Sequence, residues 1–295
     1  MGNKYDERRE ASKAEPDAKI VLKDISRTFH LKNGANGAKD FLALKDISLE
    51  VKKGEFVALV GPSGCGKSTL LDILAGLANS TTGTAFIDGK PITGPALDRG
   101  IVFQGYALFP WRSVQQNVEF GLEIKQAPKA RRKETSSHFI NLVGLKGFED
   151  RYPHELSGGM KQRAAIARAL AYDPEVLLMD EPFAAVDAQT RETLQDELLR
   201  IWDATKKTIV FVTHSIEEAV FLADRVAVMT PNPGTVSGII PIDLLRPRQN
   251  SGIRSSPEFA WTRHRIWELL QNKPHVDHKT DGRSIAAAIS PSAAI

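Results

Sequence analysis

Gly61, Gly66, Lys67 and Ser68 stand in GPSGCGKST (61–69) at the spacing G-x-x-x-x-G-K-S. Ahead of them runs the apolar stretch 56–60, and behind them Leu70, Leu71, Ile73 and Leu74 recur at helical spacing. The order is therefore buried strand, glycine-rich turn, helix, the context in which this spacing cradles a polyphosphate. Glycines let backbone N–H groups wrap the phosphate oxygens. The helix that follows offers its free N–H groups and the positive end of its dipole to the same anion. In this reading Gly61, Pro62, Ser63, Gly64, Cys65 and Gly66 form the cradle. Lys67 supplies a mobile positive charge for the β- and γ-phosphates, Ser68 a hydroxyl for Mg²⁺, and Thr69 a donor to the α-phosphate.

A second chemical stretch is VLLMDE (176–181), an apolar strand pattern that ends in two carboxylates. Ionised carboxylates at the end of a buried strand are costly unless a cation or a proton transfer uses them. Asp180 suits Mg²⁺, and Glu181 suits polarising an attacking water as general base; a strand end reaching solvent is the plain alternative. LSGGM (156–160) adds Ser157, Gly158 and Gly159 at a helix start, a second anion-binding terminus. One triphosphate cannot use both helix ends within one chain. A twofold dimer resolves this, each chain closing its Ser-Gly-Gly over the nucleotide held by its partner.

These groups need a scaffold. The chain has 295 residues, 42% hydrophobic and 25% charged, with net charge +3. That balance favours neither nucleic acid nor lipid by bulk electrostatics. The one cysteine, Cys65, excludes an internal disulfide and fits a reducing compartment. No apolar run reaches the roughly 18–20 residues of a membrane span, and no signal peptide is visible, so membrane association is expected through a protein partner. Residues 1–19 read as a charged, disordered lead, and order is expected from Ile20. Residues 33–40 read as a loop between two strands. Thr82-Gly83 and Asp88-Gly89 read as turns around a short strand at 84–87, and 99–104 reads as a strand ending in Gln104. Helical signals fill 105–155, and 156–170 is a glycine-led helix. Strands then alternate with helices up to residue 229, which predicts a mostly parallel sheet covered on both faces. A helix is expected over 257–270 and a polar tail from 271.

Taken together, GPSGCGKST, Gln104, LSGGM, LLMDE, AAVD (184–187) and His214 resemble, in order, the motifs of the ATP-binding subunit of an ABC transporter over residues 20–245. The resemblance implies an α/β P-loop NTPase (RecA-like) core with an antiparallel β subdomain and a helical insertion at about 105–170. Residues 246–295 remain as a C-terminal helix and tail. It implies ATP and Mg²⁺ as cofactors and a homodimer enclosing two nucleotides. By this resemblance Phe29 stacks on adenine, and Gln104 senses Mg²⁺ and the attacking water. Asp187 crosses the dimer interface, and His214 contacts the γ-phosphate. Phe29 reads equally well as core, His214 as a strand-end histidine and Cys65 as a small filler of the loop.

GYALFPWRSVQQNVEFGL (105–122), EPFAAVDAQTR (181–191) and VMTPNPGTV (228–236) further resemble the nitrate/sulfonate/taurine group of importers. This implies a place at the cytoplasmic face of the inner membrane, with a permease docked near Tyr106–Trp111 and an external solute-binding protein acting indirectly. Packing of Phe109, Pro110 and Trp111 onto the sheet is the competing reading. No nucleic acid is expected. A non-transport ABC ATPase and a nucleotide-gated regulator are the rival functions.

Overall fold

The structure is a computed structural model and describes residues 17–33, 37–249 and 252–271. Of the lead expected over 1–19 and the tail expected from 271, residues 1–16 and 272–295 lie outside the described residues, and Gln271 ends a helix. Among the described residues the chain forms ten strands and seven α-helices, two three-residue helical turns aside, and these follow the sequence pattern closely. Strands β1 (Ala18–Asn33) and β2 (Gly37–Lys52) form an antiparallel hairpin. With β4 (Thr82–Ile87) and β5 (Lys90–Pro91) they make a four-stranded antiparallel sheet, ordered β2-β1-β4-β5. The second sheet holds β3 (Phe56–Val60), β6 (Arg99–Val102), β7 (Val176–Asp180), β8 (Thr208–Thr213), β9 (Arg225–Thr230) and β10 (Thr235–Pro241). Its order is β10-β9-β3-β8-β7-β6, parallel throughout except for β10.

The central strands are short apolar runs because both faces are buried. Phe56, Ala58 and Val60 of β3 and Ile209 and Phe211 of β8 face one core; Val57, Leu59, Val210 and Val212 face the other. The first core is closed by α4 (Gly158–Ala171), α5 (Ala188–Thr205) and α6 (Ile216–Leu222), with Trp202 edge-on to Phe56 at 6.1 Å and Phe183 tilted on Phe211 at 5.8 Å. The second is closed by α1 (Lys67–Ala75) and by Ile20, Leu22, Leu44 and Ile47 of the antiparallel sheet. Each such aliphatic side chain contributes about 1.5–3 kcal/mol on burial. Between β6 and β7 the chain inserts α2 (Val114–Ile124), α3 (Lys129–Leu142) and α4, which pack on one another. Helix α7 (Pro257–Gln271) buries Phe259 and Ile266 in the first core.

Four expectations are corrected. Lys19, assigned to the solvated lead, lies in β1 and is buried, its ammonium paired with Asp88 and Glu175. An alkyl stem hides in the sheet while two carboxylates answer the charge. The loop read over 33–40 is shorter, because Asn33 already pairs with Gly37 and Lys32 with Ala38. Thr82-Gly83 is strand rather than turn. Gly83, at φ 79°, lies against the Asp24 carbonyl where β1 bulges between Lys23 and Ser26. Finally, β10 was missed: it is an edge strand with one half-buried face, which weakens its alternation.

Glycine positions separate by what surrounds them. Gly76 ends α1 at φ 74°, and a Cβ there would collide with the Gly94 backbone, whereas Gly89 at φ 70° faces open space. Gly76→Ala is expected to lose about 1–3 kcal/mol from the left-handed backbone alone, with the collision added, and Gly89→Ala distinctly less. Urea unfolding of both variants measures this; equal midpoints would contradict the packing described here.

Candidate functional site

Strand register brings the chemistry to one edge. Val60 lies opposite Thr213, and Asp180 opposite Val212, so β3, β8 and β7 end level. The next residues are Gly61, His214 and Glu181. The carboxyl edge of a parallel sheet is where α/β folds bind ligands.

The glycine-rich turn is shaped by contacts that other residues would break. Gly64 and Gly66 adopt φ 79° and 94°, a left-handed backbone that glycine takes freely. A Cβ on Gly61 would stand 2.6 Å from Cys65 Sγ and from the Met229 carbonyl. Cys65 is thus the buried filler of the loop, its thiol pKa raised by burial against the opposing pull of the Lys67 ammonium. Gly234 packs beneath the turn, its N–H donating to the Ala43 carbonyl at 2.9 Å. The first helical bond of α1 runs from Leu70 N–H to the Gly66 carbonyl at 2.9 Å. The N–H groups of Lys67, Ser68 and Thr69 precede it and have no acceptor within the helix. Gly66, the N-cap, brings no capping side chain, while Ser113, Ser157, Asp187 and Ser215 cap α2, α4, α5 and α6. The end of α1 is therefore open to an anion. Lys67 is buried, and its ammonium donates to the carbonyls of Gly61 (2.8 Å) and Pro62 (3.1 Å).

Opposite stands the acidic pair. Ser68 Oγ donates to Asp180 Oδ1 at 3.2 Å. Burial raises the Asp180 pKa; the Ser68 hydrogen bond lowers it, the charges of Glu181 and Asp72 raise it, and Lys67 lowers it. No cluster of three or more His, Cys, Asp or Glu side chains able to hold a metal exists among the described residues. A serine hydroxyl beside one carboxylate still fits Mg²⁺, which takes its remaining ligands from phosphate and water. Glu181 Oε2 lies 3.1 Å from His214 Nδ1. Glu181 sits at φ 42°, held there by its N–H donating to the Val212 carbonyl at 3.0 Å. A non-glycine residue in this region is uncommon and clusters at functional sites.

The other expected residues are placed less directly. Gln104 is exposed, two residues past Val102, which pairs with Met179; it makes none of the described hydrogen bonds to Ser68, Asp180 or Glu181. Among the described residues no hydrogen bond joins Ser157, Gly158 or Gly159 to residues 61–69. Ser157 caps α4 by accepting from Met160 N–H at 3.3 Å. Asp187 caps α5 through Thr190 N–H at 3.0 Å, the bond that lowers its pKa. Phe29 is half-buried in β1 opposite Phe41, with the Arg27 guanidinium 4.7 Å from its ring centre. Leu44, which bridges to Gly234 beside the turn, is three residues from Phe41, or about 10 Å along the strand. An aromatic face at that distance suits a base whose phosphates occupy the turn. Phe109 packs on Phe120 of α2 at 4.6 Å, while Trp111 is 71% exposed.

Sequence reasoning missed several supports. Arg168 of α4 donates to the carbonyls of Tyr106 (3.0 Å) and Ala107, both of positive φ. Asp72, whose pKa burial also raises, faces Asp180 from α1; its i,i+4 spacing from Ser68 was the available signal. Thr213 and Glu218 form a buried pair behind His214 that nothing local in the sequence announces.

The ABC transporter family model matches residues 44–184. An uncharacterized ABC transporter ATP-binding protein of Methanocaldococcus jannaschii is 54% identical over 255 residues, 86% of this chain and 92% of its own. The chain belongs to the ABC transporter family. The nitrate import ATP-binding protein NrtD of Synechocystis sp. is 46% identical to this cassette over 259 residues, 86% and 96% of the two chains. A solved dimeric ATP-binding cassette in a post-hydrolysis state, bound to ADP and Pi, superposes with TM-score 0.67 at 32% identity, covering 77% of this chain and 100% of that one. The fold is that of an ABC ATPase, and the cassette is an ATP hydrolase of that family.

Burial of Asp180 generates a pH prediction. Its native pKa lies above the ordinary 3.8, so the folded chain holds that proton more tightly than the unfolded chain does. Stability is then lost as pH climbs from 3.8 through the raised value. Asp180→Asn is expected to raise the thermal midpoint of the nucleotide-free chain at neutral pH and to flatten its pH slope above 3.8, while turnover falls by orders of magnitude. Calorimetry from pH 3.8 upwards checks it; an unchanged slope would mean that the folded chain does not hold the Asp180 proton more tightly than the unfolded chain.

Proposed function

We propose that this cassette is the ATP-hydrolysing subunit of an import system for a small anionic solute, working as a homodimer beneath a permease. The carrying observation is the level edge itself. Lys67, Ser68, Asp180, Glu181 and His214 come from three elements and converge where the uncapped end of α1 opens. ATP would lie along the glycine turn, with its terminal phosphates on the N–H groups of Gly66 to Thr69 and on Lys67. Mg²⁺ held by Ser68 and Asp180, with Gln104 close by, would polarise the γ-phosphate oxygens. Glu181 would take the proton of the attacking water, and His214 would hold that carboxylate in place and reach the γ-phosphate. Among the described residues Ser157, Gly158 and Gly159 make no hydrogen bond to residues 61–69 of their own chain, which supports their serving the nucleotide of the second copy.

Closure of two chains on two nucleotides moves α2 to α4 with the Tyr106–Trp111 segment. Between that block and the core lies a groove of about 420 Å³ lined by Leu97, Phe103, Phe109, Phe120, Ile124 and Tyr172, and this is the surface we assign to a permease helix. No helix among the described residues is long and apolar enough to cross a membrane, so attachment at the cytoplasmic face of the inner membrane falls to the permease, and cargo selection to the permease and an external binding protein. A nitrate-import relative supports an oxyanion such as nitrate, taurine or an alkanesulfonate.

Glu181→Gln is expected to lower kcat by about 10²–10⁴-fold and to leave an ATP-bound dimer on size-exclusion chromatography. A parental rate would remove Glu181 as base. Mixing Lys67→Ala with Ser157→Ala chains should restore part of the turnover that each lacks alone, because one of the two shared sites is then intact. A mixture as inactive as its components would rule out sites shared between copies. Absence of turnover in the parent, with and without permease, would favour the nucleotide-gated regulator.

A further inference from the structure

Behind His214 lies a buried polar cluster that the hydrolytic reading does not use. Thr213 Oγ donates to Glu218 Oε2 at 2.6 Å, and Thr213 Oγ accepts from Ser215 N–H at 3.0 Å. Glu218 N–H donates back to Ser215 Oγ at 3.3 Å. The residues on both sides of His214 are thus tied to Glu218, Thr213 by its carboxylate and Ser215 by its backbone N–H. Glu218 is only 7% exposed, and a buried carboxylate calls for a nearby cation. That cation is Arg191, whose Nε stands 3.7 Å from Glu218 Oε1. Arg191 belongs to the first turn of α5: its N–H donates to the Asp187 carbonyl and its Nη2 to the Val186 carbonyl, each at 2.9 Å. One guanidinium therefore grips the loop 184–187 and faces the carboxylate that seats His214. Its Nε is buried without a hydrogen bond among the described residues, and a shortening of well under an ångström would give it one.

We infer that Arg191 and Glu218 are positioning residues that make the seating of His214 against Glu181 depend on the loop at Val186–Asp187. The inference rests on Glu181 and His214 being the hydrolytic pair. When the loop is in place, Arg191 is held towards Glu218, Glu218 holds Thr213 and Ser215, and the imidazole between them meets Glu181. When the loop shifts, the guanidinium moves with the Val186 carbonyl and the imidazole loses its fixed mounting. Neither side chain touches the nucleotide, so ground-state affinity is left alone.

The test uses the full chain carrying Arg191→Met, Glu218→Gln, both together, or Arg191→Lys. Steady-state ATP hydrolysis, trinitrophenyl-ATP affinity and thermal midpoint are read for each. Each of the first two is expected to lower kcat by about tenfold with affinity within about twofold of the parent. The double variant should be no slower than the slower single, since both act on one link. Arg191→Lys should recover most of the rate. Losses that multiply in the double variant, affinity and midpoint that fall together with kcat, or parental rates would each overturn the inference. Should Arg191→Met not fold, Glu218→Gln and Arg191→Lys, which keep shape or charge, decide it alone. Glu181→Gln measured alongside separates the two levels: parental turnover there removes the hydrolytic pair, whereas loss there with unaffected Arg191 and Glu218 variants removes only the link.

Discussion

Val60 opposite Thr213 and Asp180 opposite Val212 fix where three strands stop. Backbone hydrogen bonds hold that alignment, and the strands are apolar on both faces, so a slip of one residue would exchange the two cores of the sheet. Gly61, Glu181 and His214 stand one residue beyond this line, and the glycine turn leads from Gly61 to Lys67 and Ser68 at the start of α1. The glycine turn, the carboxylates and the imidazole are placed by sheet geometry.

Charge is handled unevenly around that line. Five helices receive a side chain at their N-terminus, from Ser113, Ser157, Asp187, Ser215 and Ser256; α3 receives none, and neither does α1. The positive end that would ordinarily be quenched is left available beside a carboxylate whose pKa burial raises. An uncapped helix costs about 1 kcal/mol relative to a capped one. The fold tolerates it because α1 is anchored by Leu70, Ile73 and Leu74 in a fully buried layer.

The sequence made reacting residues legible where they interrupt an apolar run at the point where the strand ends. Gly61, Asp180 and Glu181 are found that way, His214 is singled out by the family resemblance, and the alternation of strands and helices yields the parallel sheet. What escaped depends on partners far along the chain. Lys19 reads as one charge among many until Glu175, 156 residues later, is placed beside it. Arg168 reads as the polar face of a helix until it meets the Tyr106 carbonyl, 62 residues earlier. Glu218 reads as a first-turn glutamate of α6, whereas it is buried against Thr213 and Arg191. Local pattern reports period and punctuation, and it is silent on which polar groups will be enclosed together.

The ammonium of Lys67 already has two carbonyl neighbours, from Gly61 and Pro62. On the function proposed above, a nucleotide arriving at the cradle would exchange one set of oxygen acceptors for another, and only the difference would add to its grip. The same exchange runs backwards when the γ-phosphate has gone, since the carbonyls stand ready to take the charge back. Spent nucleotide leaves a lysine that is never stranded in a dry pocket, and a cassette built to cycle gains from a hold that loosens as readily as it forms.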